Sequence, residues 1–281
     1  MTVKIVTDST CDLPADVIAQ YGIVVMPLYI HVGHEGYLDG VELSREQFYR
    51  DLPGYNPAPT TAASSPEKYR QAYESLARQG AGGILSIHIS ESLSTVLNAA
   101  RLAAQEIQEV RVTVFDSRQL SLGTGFLVET AAKAAAAGCS VSDIIALLNE
   151  QITRSHVFAA LDTLEFLKRS GRMNGAVSAM GNLLQIKPLL RMYDGKPTAE
   201  RVRTRERAMQ RLLEMLYDVG PLERVAIVHT HAPERVAELR ERAAQLLPSG
   251  DIMTMDITPV IGAHIGPGAV GFACVAAHRQ L

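Results

Sequence analysis

At 281 residues, with 47% hydrophobic and 20% charged side chains, the chain has the composition of a globular protein with room for two compact domains, well outside the disordered class. A net charge of −3 argues against nucleic acid as a partner, and no apolar run approaches the roughly 20 residues that cross a bilayer, so stable membrane insertion is not expected. A strand pattern begins at Thr2 with no basic start and apolar centre before it, which points to a cytoplasmic protein.

Residues 3–7 read as a strand, followed by the polar loop Asp8-Ser-Thr-Cys-Asp12 and a helix that Pro14 opens and Gly22 closes. Residues 23–30 form a second apolar strand, which Pro27 assigns to an edge or a bulge. Ser44-Arg-Glu-Gln47 is a capping box for a short helix to about Leu52. The stretch 59–64 reads as a polar loop, after which Ser65-Pro66 opens a helix that runs to Gly80. A strand at 83–89, a helix at 93–108, a strand at 110–115 and helices at 120–137 and 141–153 follow. Short strands separated by helices predict a parallel sheet with helices on both faces, which binds ligands at the carboxyl ends of its strands. Asp8, Ser9, Ser90, Asp116 and Ser117 all follow strands and are expected to converge there.

From His156 the pattern changes. A strand at 157–161, a hairpin of 188–193 and 196–203 around Asp194-Gly195, a helix at 205–217, a strand at 225–228, a helix at 234–247 and strands at 251–257 and 269–276 predict a mixed sheet. The fold class is therefore α/β, with a parallel-sheet domain over 1–154 and a mixed-sheet domain over 155–281.

The most unusual stretch is Pro259-Val-Ile-Gly262-Ala-His264-Ile-Gly266-Pro267-Gly268, where glycines and prolines around one imidazole predict a tightly turning backbone in close contact with something. With the loops after Thr7 and at 59–64 it suggests a site of neutral donors. Gly123-Thr-Gly125 lacks the third glycine of a dinucleotide fingerprint and no Walker A sequence is present, so the chain has no recognisable means of holding ATP, and no cofactor is expected. His229-Thr-His231 resembles a metal-binding pair, with His264, Asp162 and Asp256 as further candidate ligands; a metal-dependent hydrolase using His229, His231 and His264 is the competing reading to structural histidines. Ser94 with His264 lacks the G-x-S-x-G elbow of a hydrolase, and Ser94 suits a helix cap as well as a binding role. Arg169, Arg172, Arg191, Arg201, Arg203, Arg205 and Arg207 are either a solvated hairpin and helix start or a surface for phosphate or an acidic partner. Cys11, Cys139 and Cys274, odd in number and without C-x-x-C spacing, imply neither a disulfide framework nor a zinc knuckle.

Six segments in order, residues 7–14, 59–61, 89–94, 115–117, 164–172 and 260–268, together resemble the DegV family of bacterial fatty-acid-binding proteins, the acyl-carrying subunits of fatty acid kinase. The resemblance implies two α/β domains with a long-chain fatty acid between them and a separate ATP-binding kinase as partner. It assigns the carboxylate to Thr61 and Ser94, with His264, Thr60 and Gly266 around the same head group, and gives Arg172 and Arg203 to the phosphate or the kinase surface. The family's Leu-Ser-Gly-Thr is Leu93-Ser94-Thr95-Val96 here, and its Gly-Gly-Arg is Ser170-Gly171-Arg172. Both the hydroxyl and the arginine are kept. Hydroxyls can hold a carboxylate without trapping it as a buried ion pair. A long tail contributes on the order of 10 kcal/mol at about 0.8 kcal/mol per methylene, before ordering costs.

Overall fold

The computed structural model describes residues 2–172 and 186–278. In the first half, β1 (Val3–Asp8), β2 (Val24–Met26), β6 (Gly83–His88) and β7 (Val112–Asp116) form a parallel sheet in the order β2-β1-β6-β7. β6 is buried along its whole length, as an apolar strand covered on both faces must be. On one face lie α3 (Pro66–Arg78) and α4 (Val96–Glu106), whose Tyr69, Tyr73 and Ala100 pack with Val6 and Ile84. On the other lie α1 (Ala15–Tyr21), α5 (Ser121–Ala136) and α6 (Val141–Ile152), where Ile5, Leu85 and Ile87 meet Leu122, Phe126 and Leu148.

Pro27 does more than bend one strand. It separates β2 from β3 (Tyr29–Val32), and β3 leaves the parallel sheet to pair antiparallel with β4 (Glu35–Leu38) and β5 (Thr60–Ala62). Residues 60–62, expected in a loop, are therefore a strand, with Thr61 opposite Ile30 and Thr60 opposite His31. α2 (Arg45–Asp51) is capped by Ser44, whose hydroxyl accepts from the Gln47 N–H at 3.2 Å.

The second half is a six-stranded mixed sheet in the order β10-β9-β8-β13-β11-β12, built from β8 (Ser155–Ala160), β9 (Lys187–Tyr193), β10 (Lys196–Val202), β11 (Leu222–His229), β12 (Met253–Asp256) and β13 (Val270–Ala276). The Asp194-Gly195 turn joins β9 and β10 as expected. Alternate residues divide its faces. Phe158, Ile227 and Phe272 pack under α8 (Arg205–Val219) and α9 (Pro233–Arg242), whereas Val157, Ala226, Val228 and Ala273 join the core around α5. α7 (Glu165–Arg169), absent from the sequence reading, follows β8.

α5 thus lies between the two sheets and is buried continuously from Ser121 to Glu129, so it has no polar face. Its two glycines allow the approach. A Cβ on Gly123 would stand 2.6 Å from Val157 Cγ2 in the second sheet, and one on Gly125 would stand 2.4 Å from the carbonyl oxygen of Cys11 beside the first. The failed dinucleotide fingerprint is a packing feature of the central helix. No helix among the described residues is long and apolar enough to cross a membrane.

Candidate functional site

The stretch 259–268, expected to turn tightly throughout, contains the helix α10 (Pro259–Ile265), started by the Thr258 hydroxyl and ended at Gly266, whose φ is 76°. A Cβ on Gly266 would stand 2.3 Å from the Phe166 ring, so this glycine lets α10 close against α7. α10 carries His264 to β5, where His264 Nε2 lies 2.9 Å from Thr61 Oγ1.

Among the described residues the ring's other nitrogen, Nδ1, is buried without a partner. A buried N–H with no acceptor is costlier than an idle lone pair. The proton therefore resides on Nε2, which donates to Thr61 and leaves the Thr61 O–H free. Burial, reinforced by the Arg172 charge, pushes the His264 pKa down to about 4, so the imidazole is neutral at neutral pH. Ser94 accepts from the Val96 N–H at 3.3 Å, which leaves its O–H free as well.

Thr61, Ser94 and His264 all line a cavity of about 340 Å³ reached by both sheets. Its walls are mainly aliphatic: Leu28, Ile89 and Leu93 from the first half, Val157, Leu190 and Met192 from the second, and Val260 and Ile261 from α10. Arg172 lies at the cavity in an exposed position, and no carboxylate among the described residues pairs with it. A hollow of this size with few convergent polar groups has the form of a small-molecule site. Two free hydroxyl donors and a neutral ring suit an acceptor group such as a carboxylate, with an apolar body beyond it.

The remaining expected site residues lie elsewhere. Thr60 is exposed on β5 and Arg203 is exposed just beyond β10, and neither lines the cavity. Gly266 faces Phe166. Asp8, Ser9, Ser90, Asp116 and Ser117 do not line it either; the loops after β1 and β6 reach the cavity through Thr10 and residues 92–95. Of the clustered arginines, Arg205 pairs with Glu238, Arg207 with Glu214 and Arg169 with Glu165, as a solvated surface would have them.

The three candidate metal histidines do not form a set. His229 and His231 flank Asp256 at 3.5 and 3.9 Å, whereas His264 is bonded to Thr61, and no group of three metal-ligating side chains occurs among the described residues. Cys11 and Cys274 are buried thiols pushed up to about 12 by burial, and neither is activated.

Two buried polar networks escaped the sequence reading. Asp12 Oδ2 accepts from Ser121 Oγ at 2.7 Å, and Oδ1 accepts from the Thr258 N–H at 2.9 Å beside Arg45 at 3.2 Å. One carboxylate thus joins the β1 loop, the start of α5 and the start of α10. Asp39 accepts from the Thr258 hydroxyl, and Tyr49 donates to the Ile257 carbonyl at 2.8 Å. Burial pushes Asp12 up to about 7 against the Arg45 guanidinium. The second network is a chain of Tyr73, Ser86, His88 and Asp8, with contacts of 2.8, 2.7 and 2.9 Å. It has the order of a hydrolytic triad. Ser86 is fully buried and does not line the cavity of Thr61 and His264, so a substrate held there does not reach it.

A family model described as "Uncharacterised protein, DegV family" matches residues 2–277. A DegV domain-containing protein of Streptomyces coelicolor is 35% identical, with 96% of each chain covered. Another from Deinococcus radiodurans is 38% identical, covering 97% of this chain and 98% of its own. Among solved structures, a DegV family protein from Thermus thermophilus described for its fatty acid binding aligns with a TM-score of 0.89 at 33% identity, covering 99% of this chain and all of that one. DegV from Bacillus subtilis, described as a fatty acid binding protein, aligns with a TM-score of 0.89 at 30% identity over 98% and 99% of the two chains.

Proposed function

This chain belongs to the DegV family, and we propose that it binds a long-chain fatty acid in the cavity beside α10 and presents the carboxylate to a separate ATP-binding kinase, which converts it to an acyl phosphate. The observation that carries the proposal is the cavity itself: aliphatic along its walls, with the Thr61 and Ser94 hydroxyls and the neutral His264 ring in its lining. The descriptions of the Thermus and Bacillus relatives support the ligand class. In this reading the protein is a cytoplasmic carrier and not a self-sufficient enzyme, its two domains divide at 154/155, and the tail lies between them. The test is mass spectrometry of an organic extract of the purified protein. A stoichiometric fatty acid is expected, and an extract free of fatty acid from protein that also takes none up would overturn the reading.

With His264 neutral, the head group is held by hydrogen bonds and not by an imidazolium ion pair. A histidine charged in the complex would make affinity fall as pH rises through its pKa. Depressed to about 4, His264 loses its proton well below neutral pH. Fatty acid affinity is therefore expected to be flat between about pH 6 and about pH 8, where an unperturbed histidine would titrate. Fluorescence titration across that range is the check, and a tenfold decline with rising pH would mean that the ring is charged in the complex.

Arg172 is assigned to the transferring phosphate and the exposed Arg203 to the partner's surface. An interaction made only with the partner changes rate and leaves ligand binding alone. Arg172→Ala is expected to lose less than about 1 kcal/mol of fatty acid affinity, the scale of a solvent-screened charge, while acyl phosphate formation by the cognate kinase is abolished. Parallel loss of both would make Arg172 part of the acid's own site.

A further inference from the structure

Two residues of the short segment between β7 and α5, Arg118 and Ser121, stand in the left-handed backbone region at φ 52° and 49°, although neither is glycine. Such residues persist only where their surroundings over-determine them, and they gather at functional sites. Leu120 and Ser121 line the cavity. Gln119, between the two left-handed residues, does not line it and is fully buried. Nothing in the fatty acid reading uses Gln119.

Its side chain is tied to the second sheet. Gln119 Nε2 donates to the Ser155 carbonyl, at the start of β8, at 2.9 Å. A carbonyl can only accept, which fixes the amide with its nitrogen toward β8. Oε1 is buried without a partner among the described residues, so the polar end is held there by its donor. Gly123, near the start of α5, leaves the room: a Cβ on it would stand 2.9 Å from Gln119 Oε1 and 3.2 Å from Gln119 Cβ.

Its backbone is tied to the first half, toward the head group. The Gln119 carbonyl accepts from the Ser90 N–H at 2.9 Å, and the Ser90 carbonyl accepts from the N–H groups of Leu93 and Ser94 at 3.0 and 3.2 Å. The turn that sets the Ser94 hydroxyl at the cavity thus hangs on Ser90, and Ser90 on Gln119. The tip of the β9–β10 hairpin steadies the neighbouring peptide, since the Gly195 N–H donates to the Arg118 carbonyl at 3.0 Å and Arg118 pairs with Asp194 at 2.8 Å. Thr61 is placed differently, by its pairing with Ile30 of β3 and by His264.

We propose that Gln119 is a positioning residue for the head group: its amide, seated on β8, fixes the Ser94 hydroxyl through Ser90, so that the second sheet sets the place of a donor carried by the first half. The inference rests on the fatty acid reading of the cavity. A hydrogen bond weakens steeply with angle and distance, so a hydroxyl whose supporting turn is loose loses most of its worth to the carboxylate. The signature follows from the order of the contacts. Loss of the Gln119 amide matters to the ligand only while the Ser94 hydroxyl is present to be placed.

The experiment is a pair of double-mutant cycles on fatty acid affinity, measured with delipidated protein. Gln119→Met, close in shape and without the amide, is combined with Ser94→Ala and separately with Thr61→Ala. Alone it is expected to weaken affinity about threefold or more, to add nothing further in the Ser94→Ala background and to keep its full effect in the Thr61→Ala background. A generally loosened cavity would instead lower affinity by the same factor in both backgrounds. Gln119→Asn, which keeps the amide and withdraws it from Ser155 by one methylene, should follow the same pattern and stands in if the methionine variant folds poorly. Losses that multiply with Ser94→Ala, equal coupling to both hydroxyls, or parent affinity in the Gln119 variants overturn the inference and leave the fatty acid reading intact. Parent affinity in Ser94→Ala alone would withdraw Ser94 from the head group and the inference with it, whereas parent protein that takes up no fatty acid overturns the reading on which both stand.

Discussion

Replacing Thr61 and Ser94 together by alanine is expected to lower fatty acid affinity by about 2–6 kcal/mol, from roughly 1–3 kcal/mol for each hydrogen bond to a charged group. The geometry explains why the loss falls on binding and not on folding. Both side chains are only partly buried, and each hydroxyl has its acceptor side occupied, by His264 Nε2 and by the Val96 N–H, with its hydrogen left over. Removing them costs the fold one local contact before α4 and one tertiary contact, and costs the ligand its two donors. Titration of delipidated protein beside an unfolding curve separates the effects. An affinity within a factor of two of the parent in the double variant would remove these residues from the head-group site.

The largest expected effect on the fold is at α5. A Cβ on Gly125 would stand 2.4 Å from the Cys11 carbonyl oxygen and 3.3 Å from Leu13. A backbone atom cannot turn aside as a side chain can, so Gly125→Val must push α5 away from the first sheet or distort the loop after β1. A cost of about 3 kcal/mol or more is expected, at the upper end of overpacking. Gly54→Ala is the control, since nothing lies within 4 Å of the added methyl and its φ is not in the left-handed region. It should change stability by less than about 0.5 kcal/mol. Urea unfolding of the two variants measures both. Equal stabilities would mean that α5 has slack the contacts do not suggest.

The consequence reaches function because α5 begins at the cavity. Leu120 and Ser121 line it, and Ser121 donates to Asp12, which also holds the start of α10. A displaced α5 therefore moves His264 relative to Thr61 without touching either.

Signals confined to a few neighbouring residues were legible in the sequence. The Ser44 cap, the glycine stops, the Asp194-Gly195 hairpin and the alternation that yields a parallel then a mixed sheet depend on local backbone preferences and on side-chain periodicity, which a chain carries in its own order. Thr61, Ser94, Arg172 and His264 could be named from motifs, and the fold brings all four to one cavity. Partners chosen across long separations were not legible. Pro27 announced an interruption and could not say that β3 would join a different sheet, and nothing near Thr60 and Thr61 revealed that Ile30 would make them a strand. The unbroken run of apolar and small residues from Leu122 to Val128 was the available sign that α5 is covered on all sides, yet which sheets cover it depends on the packing of both halves. Asp12 meets Thr258 across 246 positions and His156 meets Arg191 across 35. Such contacts are specified by tertiary packing, because a buried carboxylate or guanidinium takes whichever donor or acceptor the folded chain brings to it, and no spacing in the sequence encodes that choice.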